Sequence, residues 1–200
     1  MKKDNYIIKS LNGMAYGFFC SLIIGTIFKQ IGNFANISQL AAWGEVATYL
    51  MGPAIGAGIA YAIDAKGLNL IAAVIAGTIG AGTFNGNTAT TGNPIAAFVA
   101  VIIAVEVTRL VQGKTPVDIL LVPFTSIIVA GIVTIFIGPY ITKLIVWIGD
   151  LINQGVNMQP FFMSIVVAVL MGMALTAPIS SAAIGVMLGL NGLAAGAALA

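Results

Sequence analysis

The chain has 200 residues, of which 60% are hydrophobic and 7% charged, and its mean hydropathy is +1.07. A soluble domain carries about a quarter charged residues, so this is the composition of an integral membrane protein. The net charge of +2 is too small to neutralise a phosphate backbone and argues against nucleic acid as a partner.

Histidine is absent, which removes His-based triads, H-E-x-x-H zinc sites and phosphohistidine carriers. One cysteine, Cys20, permits no internal disulfide and no cysteine metal cluster. Within its run of Phe, Leu and Ile it reads as a small buried hydrophobe. No cofactor, metal site or catalytic residue is expected.

Charges mark where spans end, because an ionic side chain is costly in hydrocarbon. Lys9 and Lys29 bracket the first span, about Ser10 to Phe28, close to the roughly 20 apolar residues a helix needs to cross. Lys2, Lys3 and Lys9 precede it as in a signal peptide, but the run is long and no A-x-A-like site closes it, so an uncleaved helix is expected. Glu45 and Asp64 bracket a second span that contains Pro53. From Gly67 to Val105 no charge occurs, and the reading is helix, polar break, helix. Arg109, Lys114 and Asp118 end the fourth span. Thr115, Pro116 and Asp118 supply a cap, an N1 proline and an acid for the fifth, about Asp118 to Ile141.

No charge follows Asp150. A sixth span fits about Phe161 to Leu175, and Ile179 to Ala200 reads as a half-helix or re-entrant element. The expectation is an all-α integral membrane protein with about six transmembrane helices plus that element, its broken helices surrounding a polar cavity. It forms one domain over 1–200, and the apolar G-L-A-A-G-A-A-L-A end predicts that the C-terminal part of the domain is missing. With a cytoplasmic N-terminus, Lys2, Lys3, Lys9, Lys66, Arg109 and Lys114 fall inside and only Lys29 and Lys143 outside, which obeys the positive-inside rule. The localisation expected is a bacterial-type plasma membrane, multi-pass.

Chemistry concentrates in T-F-N-G-N-T-A-T-T-G-N-P, Thr83 to Pro94. Two readings fit: an external hairpin loop of ordinary turn residues, or a re-entrant break at membrane depth lining a cavity. The flanking helices, Gly67 to Gly82 and Pro94 to Thr108, are short for full crossings, which favours a break that dips inward. Asn93 and Pro94 read as cap and N1 residue, aiming helical N–H groups at whatever occupies the break. Thr176-Ala-Pro-Ile-Ser-Ser181 is a second interruption, and its plain alternative is a proline kink. Glu106 and Arg109 are spaced to pair on one helical face near the cytoplasmic end. Gly52, Gly56, Gly77 and Gly80 suit close helix packing.

Four runs are also familiar: K-S-L-N-G-M-A-Y-G from Lys9, G-P-A-I-G-A-G-I-A-Y-A from Gly52, T-G-N-P-I-A-A-F from Thr91 and T-A-P-I-S-S-A-A-I from Thr176. Together they resemble the phosphotransferase-system EIIC-like membrane family that includes the perfringolysin O regulator-type proteins. The resemblance runs from Lys9 to Ala200. It implies a sugar-permease domain, usually homodimeric, served by separate IIA and IIB phosphotransfer proteins. The chain holds neither the glutamate-containing G-I-T-E-like motif nor the histidine that well-studied permeases share, so coupling to phosphorylation does not follow from the resemblance. Any phosphoryl carrier is another polypeptide or lies beyond Ala200.

The function expected is a permease component moving a sugar or similar polyhydroxylated solute inward, with a membrane-bound regulator or sensor as the alternative. Neutral amides and hydroxyls suit a neutral solute. The candidate substrate-binding residues are Asn85, Asn87, Thr88, Thr91, Asn93, Thr176, Ser180 and Ser181. The expected partners are the small-molecule solute, a carbohydrate by that chemistry, the lipid bilayer, separate IIA/IIB proteins and a second copy of the chain.

Overall fold

A computed structural model describes residues 3–82, 84–85, 88–89, 92–114, 116–158 and 160–174. The chain divides into two units, Met1–Gly138 and Pro139–Ala200. In the first unit, α1 (Lys3–Phe18) passes through a π-helical turn (Phe19–Ile23) into α2 (Ile24–Phe34). Then follow α3 (Ser38–Tyr49), α4 (Met51–Ala62), α5 (Leu68–Ala81), α6 (Pro94–Val111) and α7 (Asp118–Phe136). The two-residue strands β1 (Phe84–Asn85) and β2 (Thr88–Ala89) sit between α5 and α6. The second unit holds α8 (Gly138–Met158) and α9 (Pro160–Ala174). The expected all-helical class holds, the small ladder aside.

Among the described residues three helices are long and apolar enough to cross a membrane: Tyr6–Phe34, Pro94–Val111 and Asp118–Phe136. The first is longer than the expected Ser10 to Phe28. The expected second span is not one helix. It breaks at Leu50 because Pro53 lacks the N–H that would bond the Tyr49 carbonyl, and its ring crowds that carbonyl. The expected fifth span is α7, which starts at Asp118 with Val117 as cap residue, so Pro116 precedes the helix and is not its N1 residue. The expected cap Thr115 lies outside the described residues.

The π-helical turn holds a side-chain hydrogen bond at its centre. The Ser21 hydroxyl donates to the Gly17 carbonyl at 2.6 Å, the oxygen that the Ser21 N–H would use in an α-helix. The Ile24 N–H reaches back to the Phe19 carbonyl instead. This phase turns Ser21 and Leu22 inward and Cys20 outward. Cys20 is exposed, which corrects the expected burial.

Small residues set the packing of the first unit. α4 lies between α1 and α5, and α5 also packs on α6 and α7. A Cβ on Gly58 would stand 2.2 Å from the Gly13 carbonyl oxygen, and one on Gly77 would stand 2.3 Å from that of Gly52. The glycines expected to allow close packing do so. Ile55, Ile59, Ala76, Ala97 and Val101 fill the seam with no exposed surface or almost none.

One buried polar pair joins α5 to α6: the Thr108 hydroxyl lies 2.6 Å from Asn69 Oδ1. Thr108 also has the Ala104 carbonyl at 2.8 Å, so it keeps a partner if Asn69 is removed. Thr108→Val is expected to lower stability by about 1 to 2 kcal/mol because it strips a buried amide oxygen of its donor. Asn69→Leu should be milder. Thermal melts of the two variants in detergent check the order, and a reversed order would count against the pair.

Candidate functional site

Two ion pairs mark two levels in the first unit. Lys9 on α1 meets Asp64 beyond α4 at 3.4 Å, and Lys29 on α2 meets Glu45 on α3 at 3.6 Å. All four are charges that bracket the first two expected spans. Twenty helical residues separate Lys9 from Lys29, about 30 Å, the thickness of a hydrocarbon core.

The end marked by Lys9 is tied across several helices. The Tyr6 hydroxyl donates to Glu106 Oε1 at 2.5 Å, and Arg109 Nη1 reaches the same oxygen at 2.7 Å. Arg109 Nη2 donates to the Ile63 carbonyl, and Gln112 donates to the Lys66 carbonyl at 3.4 Å. The expected Glu106–Arg109 pair therefore forms, and it also fastens α6 to α1 and to the end of α4. From α1 to α5 no Asp, Glu, Lys or Arg lies between the two charged levels.

Between those levels, the interruptions in the helices lie close to one another. Gly17 abuts Ala54, and Gly25 abuts Gly44 and Thr48, so the π-helical turn faces the α3–α4 junction at Leu50. Gly77 abuts Gly52 and Gly56, which brings the end of α5 up to the same junction. There α5 stops in a left-handed cap at Gly82, with φ of +67°. The Asn93 N–H donates to the Ala81 carbonyl at 2.8 Å, so α6 begins where α5 ends. Counted along α2, this layer lies about 9 to 15 Å inside the Lys29–Glu45 level.

The polar segment opens from that layer. Its base is closed by Ala81 and Asn93, with Gly92 at φ +73° pressed so near the Ala81 carbonyl that a Cβ would stand 2.5 Å away. Inside it, Phe84 pairs with Ala89 and Asn85 with Thr88 in an antiparallel ladder. Asn93 caps α6 as expected: its Oδ1 accepts from the N–H groups of Ile95 at 3.0 Å and Ala96 at 3.1 Å, with Pro94 in the first turn.

Of the candidate residues, Asn85, Thr88 and Asn93 thus share one short segment. Asn87 and Thr91 belong to it by sequence but lie outside the described residues, as do Thr176, Ser180 and Ser181. Sequence reasoning missed Ser21 and Thr48, two buried hydroxyls in the same layer, bonded to the Gly17 and Glu45 carbonyls. A lone hydroxyl inside an apolar run was the available signal.

Capping gives Asn93 a role that is separate from any ligand. Asn93→Ala is expected to lower stability by about 1 kcal/mol, while Asn93→Ser keeps an oxygen cap and most of that stability. Thermal denaturation separates the two.

The sequence profile described as "Phosphotransferase system, EIIC" matches residues 8–200. The chain belongs to the EIIC family. No curated protein and no solved structure gives a significant match. An EIIC protein is a membrane-resident, sugar-transport permease component. Among the described residues are apolar helices able to cross, no charge lies between the two charged levels from α1 to α5, and Glu106 and Arg109 of α6 are tied to one end. A neutral polar segment starts below the level of the second ion pair.

Proposed function

We propose that the chain moves a sugar or similar polyhydroxylated solute inward as the membrane component of a phosphoenolpyruvate-dependent phosphotransferase system, with the phosphoryl carriers on separate IIA and IIB proteins. The observation that carries this reading is the closeness of four helix interruptions to one another beside the segment Thr83 to Pro94. Irregular backbone at membrane depth is tolerated where it is buried in protein or lines a polar cavity. A cavity walled by Asn and Thr and free of charge suits hydroxyl groups and disfavours ions. In this reading the candidate substrate-binding residues are Asn85, Asn87, Thr88, Thr91 and Asn93 of the first break, and Thr176, Ser180 and Ser181 of the second.

The topology proposed with it is about six crossings of a bacterial-type plasma membrane by a single domain, working as a homodimer with its N-terminus in the cytoplasm. The support for this orientation is the sequence count of Lys and Arg, with Lys9, Lys66 and Arg109 assigned to the cytoplasmic side by the positive-inside rule.

Uptake of labelled sugars into proteoliposomes tests the proposal, with and without phosphoenolpyruvate, the general phosphotransfer proteins and IIA/IIB. Accumulation of phosphorylated sugar only in the complete system is the expected result. Thermal stabilisation by a sugar with no accumulation under either condition would replace transport with ligand sensing.

A further inference from the structure

The helix that the sequence left as a connection carries a separate inference. α8 has 21 residues, more than the 18 of α6 or the 19 of α7, yet it is not among the helices apolar enough to cross a membrane. Its composition explains why. Ile141, Leu144, Ile148, Leu151 and Ile152 recur at three- and four-residue spacings, which gathers them in one arc of a helix turning 100° per residue. Lys143, Asp150, Gln154 and Asn157 recur at seven, four and three residues and gather in the opposite arc. The helices on either side differ: α7 has no charge after Asp118, and α9 has none at all.

Two aromatic residues mark the border between the arcs. Tyr140 and Trp147 stand seven residues apart on one side of the helix, next to the Lys143 and Gln154 positions, and they are 75% and 62% exposed. Aromatic residues with an apolar body and a polar tip settle at headgroup level. Leu144, in the apolar arc, is 56% exposed.

From this segregation we infer that α8 is an interfacial helix. It lies in the plane of the bilayer, its isoleucine and leucine arc in the glycerol and upper acyl region and its polar arc in water. A soluble partner would leave the aromatic border without purpose, and a crossing would drag Lys143 and Asp150 through hydrocarbon. The occupant of the apolar arc is therefore lipid. Lys143 and Asp150 cancel in charge, so binding should not depend on anionic lipid. The inference is independent of whether the chain transports.

The test uses the chain in vesicles of phosphatidylcholine, with and without phosphatidylglycerol. In a Trp43→Phe background Trp147 is the sole tryptophan, and α8 itself is unaltered. Lipids brominated high on the acyl chain should quench Trp147 about twofold more strongly than lipids brominated near its end, in both vesicle types. Spin labels at Ile141, Leu144 and Ile152, in a Cys20→Ala background, should report oxygen access at one shared shallow depth. Labels at Lys143, Asp150 and Gln154 should report a water-soluble nickel chelate. A depth that changes steadily along the helix would make α8 a crossing and overturn the inference. So would equal chelate access on both arcs, or exclusion of both probes from the apolar arc.

Discussion

Gly56→Leu is expected to abolish the folded protein. A Cβ at Gly56 would stand 2.2 Å from the Ala73 carbonyl oxygen, a backbone atom that cannot move aside without moving α5. On the other side of α4, Gly58 is held as closely by the Gly13 carbonyl, so α4 has no room to retreat. Overpacking of this kind typically lowers stability by about 1 to 3 kcal/mol or more, and a leucine wedged between two fixed helices falls at the top of that range. The control is Gly131→Leu in α7, where a Cβ meets nothing within 4 Å. That variant should elute as a single species and melt near the parent temperature, while Gly56→Leu aggregates or melts far below it. Equal melts would show that α4 is not wedged between α1 and α5.

Alanine at Asn87 is expected to remove sugar uptake while leaving the folded protein intact. A side-chain amide that meets a solute hydroxyl away from water contributes enough that its loss lowers uptake at limiting sugar by about 10- to 100-fold. Initial uptake rates and thermal melts are measured together, because Asn93→Ala would lower both for a different reason, the lost cap on α6. A folded Asn87→Ala protein that transports at the parent rate would move the solute site away from the first break.

The features legible in the sequence were those governed by local chemistry or by the penalty on buried charge. Lys9 and Lys29 bracketed the first span by position alone, and the fold pairs them with Asp64 and Glu45. Asn93 followed by Pro94 announced a capped helix start, which formed. Glu106 and Arg109 paired because three residues bring side chains together on any helix.

What escaped depended on tertiary context or on a pattern not sought. Proline is tolerated in membrane helices when neighbours satisfy the freed backbone groups, so Pro53 alone did not decide between a kink and the break at Leu50. The π-helical turn lies inside an apolar run whose pattern does not mark it, and it sets which way Cys20 faces. α8 escaped because the stretch between Ile141 and Phe161 falls between the fifth and sixth expected spans. The three- and four-residue spacing of its isoleucines and leucines already described a helix.

The two ion pairs joining α1 and α2 to α3 and α4 have a further consequence. Because they clamp both ends of the same pair of segments about 30 Å apart, they act as a ruler. A single helix meets a thinner bilayer by tilting, but segments bolted together at both faces have to tilt together or break a pair. The protein should therefore resist hydrophobic mismatch and favour membranes whose hydrocarbon thickness equals the distance between its own charges.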